Sequence, residues 1–239
     1  IGDVDKIIGL ENLNFNNTNF YLFKNAKVEK SIDYRHLVTL FYNTKNSVLS
    51  DKRLRSALSY AIPDSFNSGK RNVEPFEPDL WAYHKSDYQK DLDHAKLLLS
   101  QSQSASESAN IVISLQVLSQ YENEAREIAK SWLKIGVNTK IIVVDSLPNN
   151  FQVFLGDFKV PRDPDQYSLW HSGQMNNITG LKNLRIDKLL EDGRQTVDVQ
   201  TRINIYTDFQ KYLLDDAPAS FLYFPYLYTV TRNSALNYK

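Results

Sequence analysis

The feature that most constrains the fold is a strand, helix and strand pattern within residues 111–144. Apolar residues dominate Ile111 to Val117, and a short run of this kind is typical of a buried β-strand. A helical stripe follows, with apolar residues three and four positions apart: Ala125, Ile128, Ala129, Trp132 and Leu133. Gly136 supplies a helix stop, and residues 139–144 form a second strand pattern. This order predicts a parallel βαβ unit with a right-handed crossover, and therefore an α/β fold.

The flanking segments predict further helices and strands around this unit. A nearly continuous apolar run from His36 to Tyr42 indicates a buried, parallel strand. Ser50 or Asp51 can cap a helix that ends before Pro63, and Asp91 can open another. The remaining predicted elements are helices at 184–193 and 198–214, a strand at 151–155, and two short strands at 221–231 interrupted by Pro225.

Three segments are predicted to be largely irregular. Residues 1–36 contain an asparagine cluster that favours turns, with two short strands between them. Residues 63–91 contain proline, glycine and several aromatic residues, which indicates a long ordered loop held against the body. Residues 100–106 are rich in serine and glutamine and indicate a surface loop. Arg55 lies in the first turn of a predicted helix, where a cation opposes the helix dipole, so a packed or paired structural guanidinium is expected.

Composition excludes several function classes. The chain has 28 Lys plus Arg and 28 Asp plus Glu, and a net charge of zero argues against a general electrostatic grip on nucleic acid or anionic lipid. It has no cysteine, which removes disulfides and thiolate metal sites. The glycines form no phosphate-binding loop and the histidines have no short metal-ligand spacing. We expect no metal, no cofactor and no nucleic-acid partner. No leader follows Ile1, so an export signal is expected to have been removed or to lie outside this sequence.

The segment from Asp163 to Ser172 carries the residues that come nearest to a reactive site. Asp163 and Asp165 lie close in sequence to His171, and two carboxylates with a histidine can divide acid and base roles. Aspartate beside proline more often forms a turn or caps a helix, and that interpretation is favoured. Trp170 beside His171 and Ser172 is equally compatible with a ligand pocket and with a buried loop anchor.

Several segments resemble one family through their order and spacing, and together they cover most of the chain from about residue 37. They are LFYNTK at 40–45, SDKRLRSALSYAI at 50–62, WAY at 81–83, DLDHAKLL at 91–98, LKIGV at 133–137, RDPDQYSLWHS at 162–172, IDKLL at 186–190, Arg202, and DAP at 216–218. In these segments the chain resembles the extracellular solute-binding proteins of family 5, the peptide- and nickel-binding type that serves ABC importers.

The resemblance implies an α/β, periplasmic-binding-protein-like (type II) lobe with a mixed sheet flanked by helices. Members of the family have two lobes joined by hinge strands and are much longer than this chain, so most of the other lobe is expected to be absent. Residues 37–222 would form the second, ligand-binding lobe. Residues 1–36 would precede it as a remnant of the first lobe, and residues 223–239 would return toward that lobe.

The implied function is the capture of peptides, or a similar small solute, outside the cytoplasmic membrane by closure of two lobes, without catalysis. The implied partners are the missing first lobe and ABC permease subunits, with a lipid anchor outside this chain as the only expected membrane contact. The predicted ligand-binding residues are Asn43, Asp163, Asp165, Tyr167, Trp170, His171 and Ser172.

The chain departs from a common family pattern just upstream of Asp163. In that pattern an acidic residue binds the amino group of the ligand, whereas Lys159, Val160 and Pro161 occupy the region here. Asp163 or Asp165 is the nearest substitute. Two alternatives therefore stay open: a hydrolase that uses Asp163, Asp165 and His171, and an interaction module whose exposed cleft face binds another chain.

Overall fold

A computed structural model describes residues 5–15, 18–19, 24–103 and 110–233. The strands are β1 Lys6–Leu10, β2 Asn14–Phe15, β3 Thr18–Asn19, β4 Ala26–Ile32, β5 His36–Tyr42, β6 Gly69–Arg71, β7 Ile111–Leu118, β8 Val137–Val144, β9 Val153–Lys159 and β10 Ala219–Arg232. The helices are α1 Lys52–Tyr60, α2 Leu92–Ser100, α3 Glu122–Leu133, α4 Tyr167–Trp170, α5 Leu184–Gln195 and α6 Val199–Asp216. Within these ranges, no helix combines the length and apolar character needed to cross a membrane.

The predicted βαβ unit lies in the main sheet. β7 and β8 pair in parallel from Ile111 opposite Val137 to Leu118 opposite Val144, and α3 connects them. The turn after α3 contains Gly136, whose φ of 89° lies in the left-handed region that glycine adopts without steric penalty. β9 pairs in parallel with the other edge of β7. The prediction of an α/β fold with a mixed sheet is confirmed.

β5 is buried as predicted, but the prediction that it is a parallel strand is wrong. It pairs antiparallel with β9 on one edge and with β10 on the other. Apolar clusters pack against both faces of the sheet at this strand, so its side chains must be apolar whichever way the strand runs. The continuous apolar run therefore identifies a central strand and does not identify its direction.

The C-terminal segment forms one long strand, β10, so the prediction of two short strands is wrong. Residues 219–223 of β10 pair with β5, and residues 226–232 pair with β4. Pro225 lies at this change of partners, and its carbonyl accepts a hydrogen bond from the backbone N–H of Asp33 at 2.8 Å. The N–H that proline lacks is thus missing where one ladder ends and the next begins, and the strand continues through it.

The three segments predicted to be irregular differ in how far they match the prediction. Residues 1–36 contain β1 and β4 in addition to the short pair β2 and β3, which is more strand than expected. The 63–91 loop is irregular apart from β6, which pairs with β10. The part of the predicted Ser/Gln loop beyond Gln103 lies outside the described residues.

The core consists of two apolar clusters on opposite faces of the sheet. Val38 and Leu40 of β5 belong to the cluster that includes α1, α2 and α3, whereas Leu37 and Phe41 belong to the cluster that includes α5 and α6. Because successive strand side chains point to opposite faces, β5 contributes to both clusters. On the first face, the Trp132 indole N–H donates to a carbonyl of α1 at 2.9 Å.

Arg55 ties the start of α1 to the end of α6. Its guanidinium donates to the backbone carbonyls of Leu49 at 2.8 Å, Ser50 at 3.0 Å, Asp216 at 2.7 Å and Ala217 at 3.1 Å. The residue is 4% exposed, and burial lowers the pKa of its guanidinium. Carbonyls at the C-terminus of a helix have no partner within the helix, and Arg55 supplies donors to them. The expectation of a packed structural guanidinium is confirmed.

We predict that Arg55→Met lowers the free energy of unfolding by about 3 kcal/mol, because carbonyls that it satisfies lose their donors in a buried site. The matched control is Arg53→Met, which removes the same charge from an exposed position in the same turn and should change stability by less than about 0.5 kcal/mol. Urea unfolding of both variants measures the difference. Equal losses would show that the buried hydrogen bonds of Arg55 do not stabilise the fold.

Candidate functional site

β9 extends further than the parallel strand beside it. The last paired residues of β7 and β9 are Val117 and Leu155, whereas β9 continues to Lys159. On its other edge, β9 remains paired with β5 as far as Lys159 opposite His36. Residues 156–159 of β9 therefore have no strand on the β7 side within the described residues, and we call this segment the open edge. Ligands of open α/β sheets bind outside the carboxyl ends of the strands, which is where the open edge lies.

A cavity of about 500 Å³ lies near the open edge on the face that carries α3. None of the described residues that line it belongs to β9, but Tyr121 contacts Asp157 and His36 pairs with Lys159. Its walls come from the 3₁₀ turn Ser119–Tyr121, the first turn of α3, β10 and the loop that precedes β5. Among the described residues that line it there is no lysine or arginine, and Glu11, Asp33 and Glu124 are included. We call it the acidic cavity.

Glu124 is the most buried carboxylate of the acidic cavity. Its side chain accepts hydrogen bonds from the hydroxyl of Ser68 at 2.5 Å and from the hydroxyl of Tyr223 at 3.2 Å. Burial and the charge of Glu124 raise the pKa of Tyr223, which keeps this phenol a donor. Glu124 lies in the first turn of α3, where the helix dipole favours a negative charge. It forms no ion pair with a lysine or arginine in the described part of the chain.

Asp157 is the carboxylate of the open edge itself. It accepts a hydrogen bond from the hydroxyl of Tyr121 at 2.9 Å, and burial together with the charge of Asp157 raises the pKa of Tyr121. The ion pairs formed within the described ranges do not include Asp157. Tyr121 lines the acidic cavity, so it connects the carboxylate on β9 to the wall that carries Glu124.

Asp33 differs from these two carboxylates because it has a cation partner. The Arg35 side chain donates to both of its oxygens, at 2.8 and 3.2 Å. Burial raises the pKa of Asp33, but the hydrogen bonds and the charge of Arg35 outweigh it, and the pKa is lowered. The charge of Asp33 is thus balanced within the protein, whereas Glu124 and Asp157 accept hydrogen bonds from neutral hydroxyls that leave their charges uncompensated.

A second cavity, of about 280 Å³, lies on the opposite face of the sheet beside the same strand. Aromatic and aliphatic side chains form most of its wall: Phe41, Leu118, Leu147, Phe154, Phe158, Leu169, Trp170 and Ile178. Phe154 and Phe158 come from β9, and both are buried. We call it the apolar cavity. The two cavities therefore differ in degree: the acidic cavity includes the buried Glu124, whereas the apolar cavity is mainly aromatic and aliphatic, with Asp145 and Asp157 also in its lining.

A third cavity, of about 850 Å³, is larger but lies at the other end of the sheet. It is lined by Asp51 and Lys52 at the start of α1 and by Asp215 and Ala217 at the end of α6. α1 follows the end of β5 at which Tyr42 pairs with Val153, the first residue of β9. This cavity is therefore near the amino ends of the parallel strands, away from the open edge, and Lys52 and Asp215 pair with each other at 2.6 Å.

The structure gives Asp163 and Asp165 turn-forming contacts. Asp163 accepts the N–H of Asp165 at 3.0 Å, and Asp165 accepts the N–H of Tyr167 at 2.9 Å. Each also pairs with an arginine, Asp163 with Arg202 at 2.9 Å and Asp165 with Arg194 at 2.7 Å. The interpretation of these aspartates as turn residues is confirmed, and both are supplied with a cation from α5 or α6.

The other predicted site residues lie around this turn or at the end of β5. The ring of Tyr167 stacks on the ring of His171 with centroids 4.2 Å apart, and the His171 ring lies 3.3 Å from Glu191. The hydroxyl of Ser172 donates to an aspartate of α5 at 2.5 Å. The Asn43 amide donates to the carbonyl of Phe151 at 2.8 Å.

Trp170 is the predicted site residue that lines the apolar cavity. It is 2% exposed, its indole N–H donates to Gln166 at 2.7 Å, and its ring packs against Phe41 and Phe158. It therefore anchors its loop, as one of the two interpretations held, and it also forms part of a cavity wall.

Comparison with known proteins assigns this architecture to a family. The model of the bacterial extracellular solute-binding proteins, family 5 Middle, matches residues 3–179. The chain belongs to this family. The oligopeptide-binding protein AppA of Bacillus subtilis (strain 168) is 24% identical to it over 238 residues, covering 85% of this chain and 44% of AppA. The dipeptide-binding protein of Escherichia coli (strain K12) is 26% identical over 208 residues, covering 75% of this chain and 38% of that protein.

Solved structures of the family share this fold. The ABC transporter-associated periplasmic binding protein DppA of Helicobacter pylori, solved in complex with the peptide STSA, superposes with a TM-score of 0.80 at 24% identity over 97% of this chain and 49% of that chain. This family 5 chain thus spans less than half the length of either curated relative and about half the length of this solved structure. The resemblance inferred from short sequence segments is confirmed, as is the type of fold.

Sequence reasoning missed Glu124, Tyr121 and Asp157. Asp157 could have been recognised from the sequence, because it is a charged residue inside the otherwise apolar stretch Phe154 to Phe158. Burying a charge is costly unless a specific partner or function compensates for it. Glu124 had no such signal, since acidic residues in the first turn of a helix are common for dipole reasons alone. Its importance arises from β10, which brings Tyr223 to it from 99 residues away in sequence.

We predict different costs for two substitutions of Asp165. Asp165→Ala removes both the acceptor for the Tyr167 N–H and the pair with Arg194, and it should lower the free energy of unfolding by about 1 kcal/mol. Asp165→Asn keeps an acceptor and loses the partly exposed ion pair, which should cost only about 0.3 kcal/mol. Thermal unfolding measures both. If the asparagine variant lost as much stability as the alanine variant, the turn contact would not be the role of this residue.

Proposed function

We propose that this chain is a ligand-binding lobe of the substrate-binding component of an ABC importer and that its ligand is a peptide. The observation that carries the proposal is the open edge of β9, which lines one cavity and is joined to a second cavity by the hydrogen bond of Tyr121 to Asp157. An extended peptide can add to such an edge as a further strand, so that backbone hydrogen bonds supply affinity and side-chain pockets supply selectivity. Family membership and the peptide-binding names of the relatives support the same ligand class.

In this proposal the lobe is one half of a clamp. Residues 37–222 form the ligand-binding lobe, and residues 1–36 and 223–239 lead toward a second lobe. The relatives are long enough to contain such a lobe. The course of β10 supports this division, since the strand leaves the pairing with β5 and joins β4 close to Pro225. A ligand that contacts both lobes favours the closed arrangement by its higher affinity for that arrangement.

The proposed location and partners follow from the family. A solute-binding protein of an importer acts outside the cytoplasmic membrane and delivers its ligand to permease subunits. We propose this location for the protein, with membrane attachment through a lipid anchor outside this chain. The distribution of charge around the open edge supports capture of a solute with a cationic group, because Glu124 and Asp157 lack a cation partner in the described part of the chain.

The contacts of the Asp163 turn support binding over hydrolysis. Asp163 and Asp165 are each paired with an arginine, and the His171 ring contacts Glu191. Within the described residues neither aspartate forms a hydrogen bond with His171, and a hydrolase of the kind considered above requires these groups to converge on a substrate. We therefore propose that the chain has no catalytic role, in line with a family of solute-binding proteins.

The clamp proposal predicts that these 239 residues bind a peptide at least tenfold more weakly than a longer protein that also carries the second lobe, because half of the contacts are absent. Titration calorimetry of both proteins with the same peptides measures this ratio. Micromolar or tighter binding by the 239 residues alone would contradict the clamp. Absence of peptide binding by both proteins would contradict the proposed ligand class.

The strand-addition proposal predicts an alternating effect of backbone N-methylation. In an extended peptide every second N–H points to the same neighbour, so methylation of one set of positions should weaken binding to this chain about tenfold through lost hydrogen bonds and steric conflict. Methylation of the other set should change affinity by less than about threefold. Chemical-shift titration of both peptide series provides the measurement, and equal effects of the two series would exclude pairing with the open edge.

A further inference from the structure

The two faces of the open edge differ in chemistry. Asp157 of β9 pairs with Val38, whose side chain belongs to the cluster on the α1 to α3 face, and Asp157 contacts Tyr121 on that face. Phe158 pairs with Leu37, whose side chain belongs to the cluster on the opposite face. Because paired residues in a sheet share a face, a carboxylate and an aromatic ring alternate along β9 and point in opposite directions.

A peptide strand that adds to this edge continues the same pleat. Its successive side chains then point alternately to the α3 face, where the Asp157 carboxylate meets Tyr121 of the acidic cavity, and to the opposite face, where Phe158 lines the apolar cavity. Two neighbouring residues of one ligand are thus sorted into two environments. We infer that the lobe selects peptides in which a large apolar residue is directly adjacent to a lysine or arginine. This inference rests on the proposed function.

The apolar cavity fits the first part of this pair. Its volume of about 280 Å³ accommodates one leucine or phenylalanine side chain. Burial of such a side chain in place of alanine is worth about tenfold or more in affinity. The loop residue Leu147 at its wall is 47% exposed, so a ligand side chain that enters here also covers hydrocarbon that the chain leaves in solvent.

The charges on the other face fit the second part. Glu124 and Asp157 each accept a hydrogen bond from a tyrosine, and neither has a lysine or arginine partner in the described ranges. Lys159 lies two residues after Asp157 on the same face, but it is exposed and forms no ion pair with it. Complementary charge across a binding site favours the matching ligand and rejects the opposite charge. A cationic ligand side chain supplies the charge that the protein does not.

The test is a set of four peptides that differ at two adjacent central positions and are otherwise identical: Leu-Lys, Ala-Lys, Leu-Gln and Ala-Gln. The 239-residue chain is titrated with each by chemical-shift perturbation. Leu-Lys should bind most tightly, and either substitution should weaken binding about tenfold. The direction in which the peptide strand runs decides whether the apolar or the cationic residue comes first in its sequence. The set therefore also includes the same four peptides with the two central residues exchanged.

Two variants assign each preference to its cavity. Ser146→Trp places an indole at the wall of the apolar cavity from an exposed loop and should abolish the preference for leucine while keeping that for lysine. Its control is Asn149→Trp, an exposed position of the same loop. Glu124→Gln should reduce the preference for lysine about tenfold, and its control is Glu127→Gln on the exposed side of the same helix. If Glu124→Gln lowers stability too far, Asp157→Asn tests the same charge.

The outcomes separate the inference from the proposed function. Binding of all peptides with equal affinity would overturn the inference and leave peptide capture intact. A lack of binding by every peptide, in the chain and in a two-lobed protein, would overturn the proposed function itself. A leucine preference that survives Ser146→Trp, or a lysine preference that survives both Glu124→Gln and Asp157→Asn, would also overturn the inference.

Discussion

The candidate site exists because β9 extends beyond the point where its parallel neighbour β7 stops pairing with it. β7 ends its pairing with β9 at Val117, while β9 continues to Lys159 under support from β5 on its other edge. The unpaired edge is therefore held rigid by a complete ladder on one side and is open on the other. Unpaired backbone groups in a sheet invite another strand, and in this lobe they lie at the carboxyl ends of the parallel strands, where α/β sheets bind ligands. The apolar cavity is lined by residues of this edge, and the acidic cavity is connected to it through the hydrogen bond of Tyr121 to Asp157.

The distribution of arginine partners explains why the negative charge concentrates at one place. Asp33, Asp163 and Asp165 each have an arginine partner, so the turn that the sequence marked as reactive is electrically balanced. Glu124 and Asp157 are instead held by tyrosine and serine hydroxyls. Hydroxyl donors stabilise a carboxylate without cancelling its charge. A chain of zero net charge can therefore still present a local negative field to a ligand.

Local patterns in the sequence were sufficient for the elements and insufficient for their partners. The βαβ unit, the Asp51 and Asp91 caps and the helices from residue 184 onward all depend on residues close in sequence, and the structure has them. The direction of β5 and the continuity of β10 depend on pairing with segments far away in the chain, including His36 with Lys159. An apolar run carries the same information in either direction. A proline within a strand pattern usually indicates that the strand ends there. At Pro225 the strand continues, because the proline lies where β10 stops pairing with β5 and begins pairing with β4.

The same distinction applies to the site. Trp170 could be predicted because a large aromatic residue within a polar loop has few roles, and it does line a cavity. Glu124 could not, because its environment is assembled from Ser68 on the long loop, Tyr223 on β10 and the start of α3. The family resemblance directed attention to the Asp163 turn, where Lys159, Val160 and Pro161 occupy the region of the acidic residue in a common family pattern. The structure has a carboxylate a few residues earlier in the sequence, at Asp157 of β9, directly on the open edge. In the proposed binding mode this carboxylate can attract a cationic group of the ligand as one nearer the Asp163 turn would, because Coulomb attraction depends on distance to the ligand and not on position in the sequence.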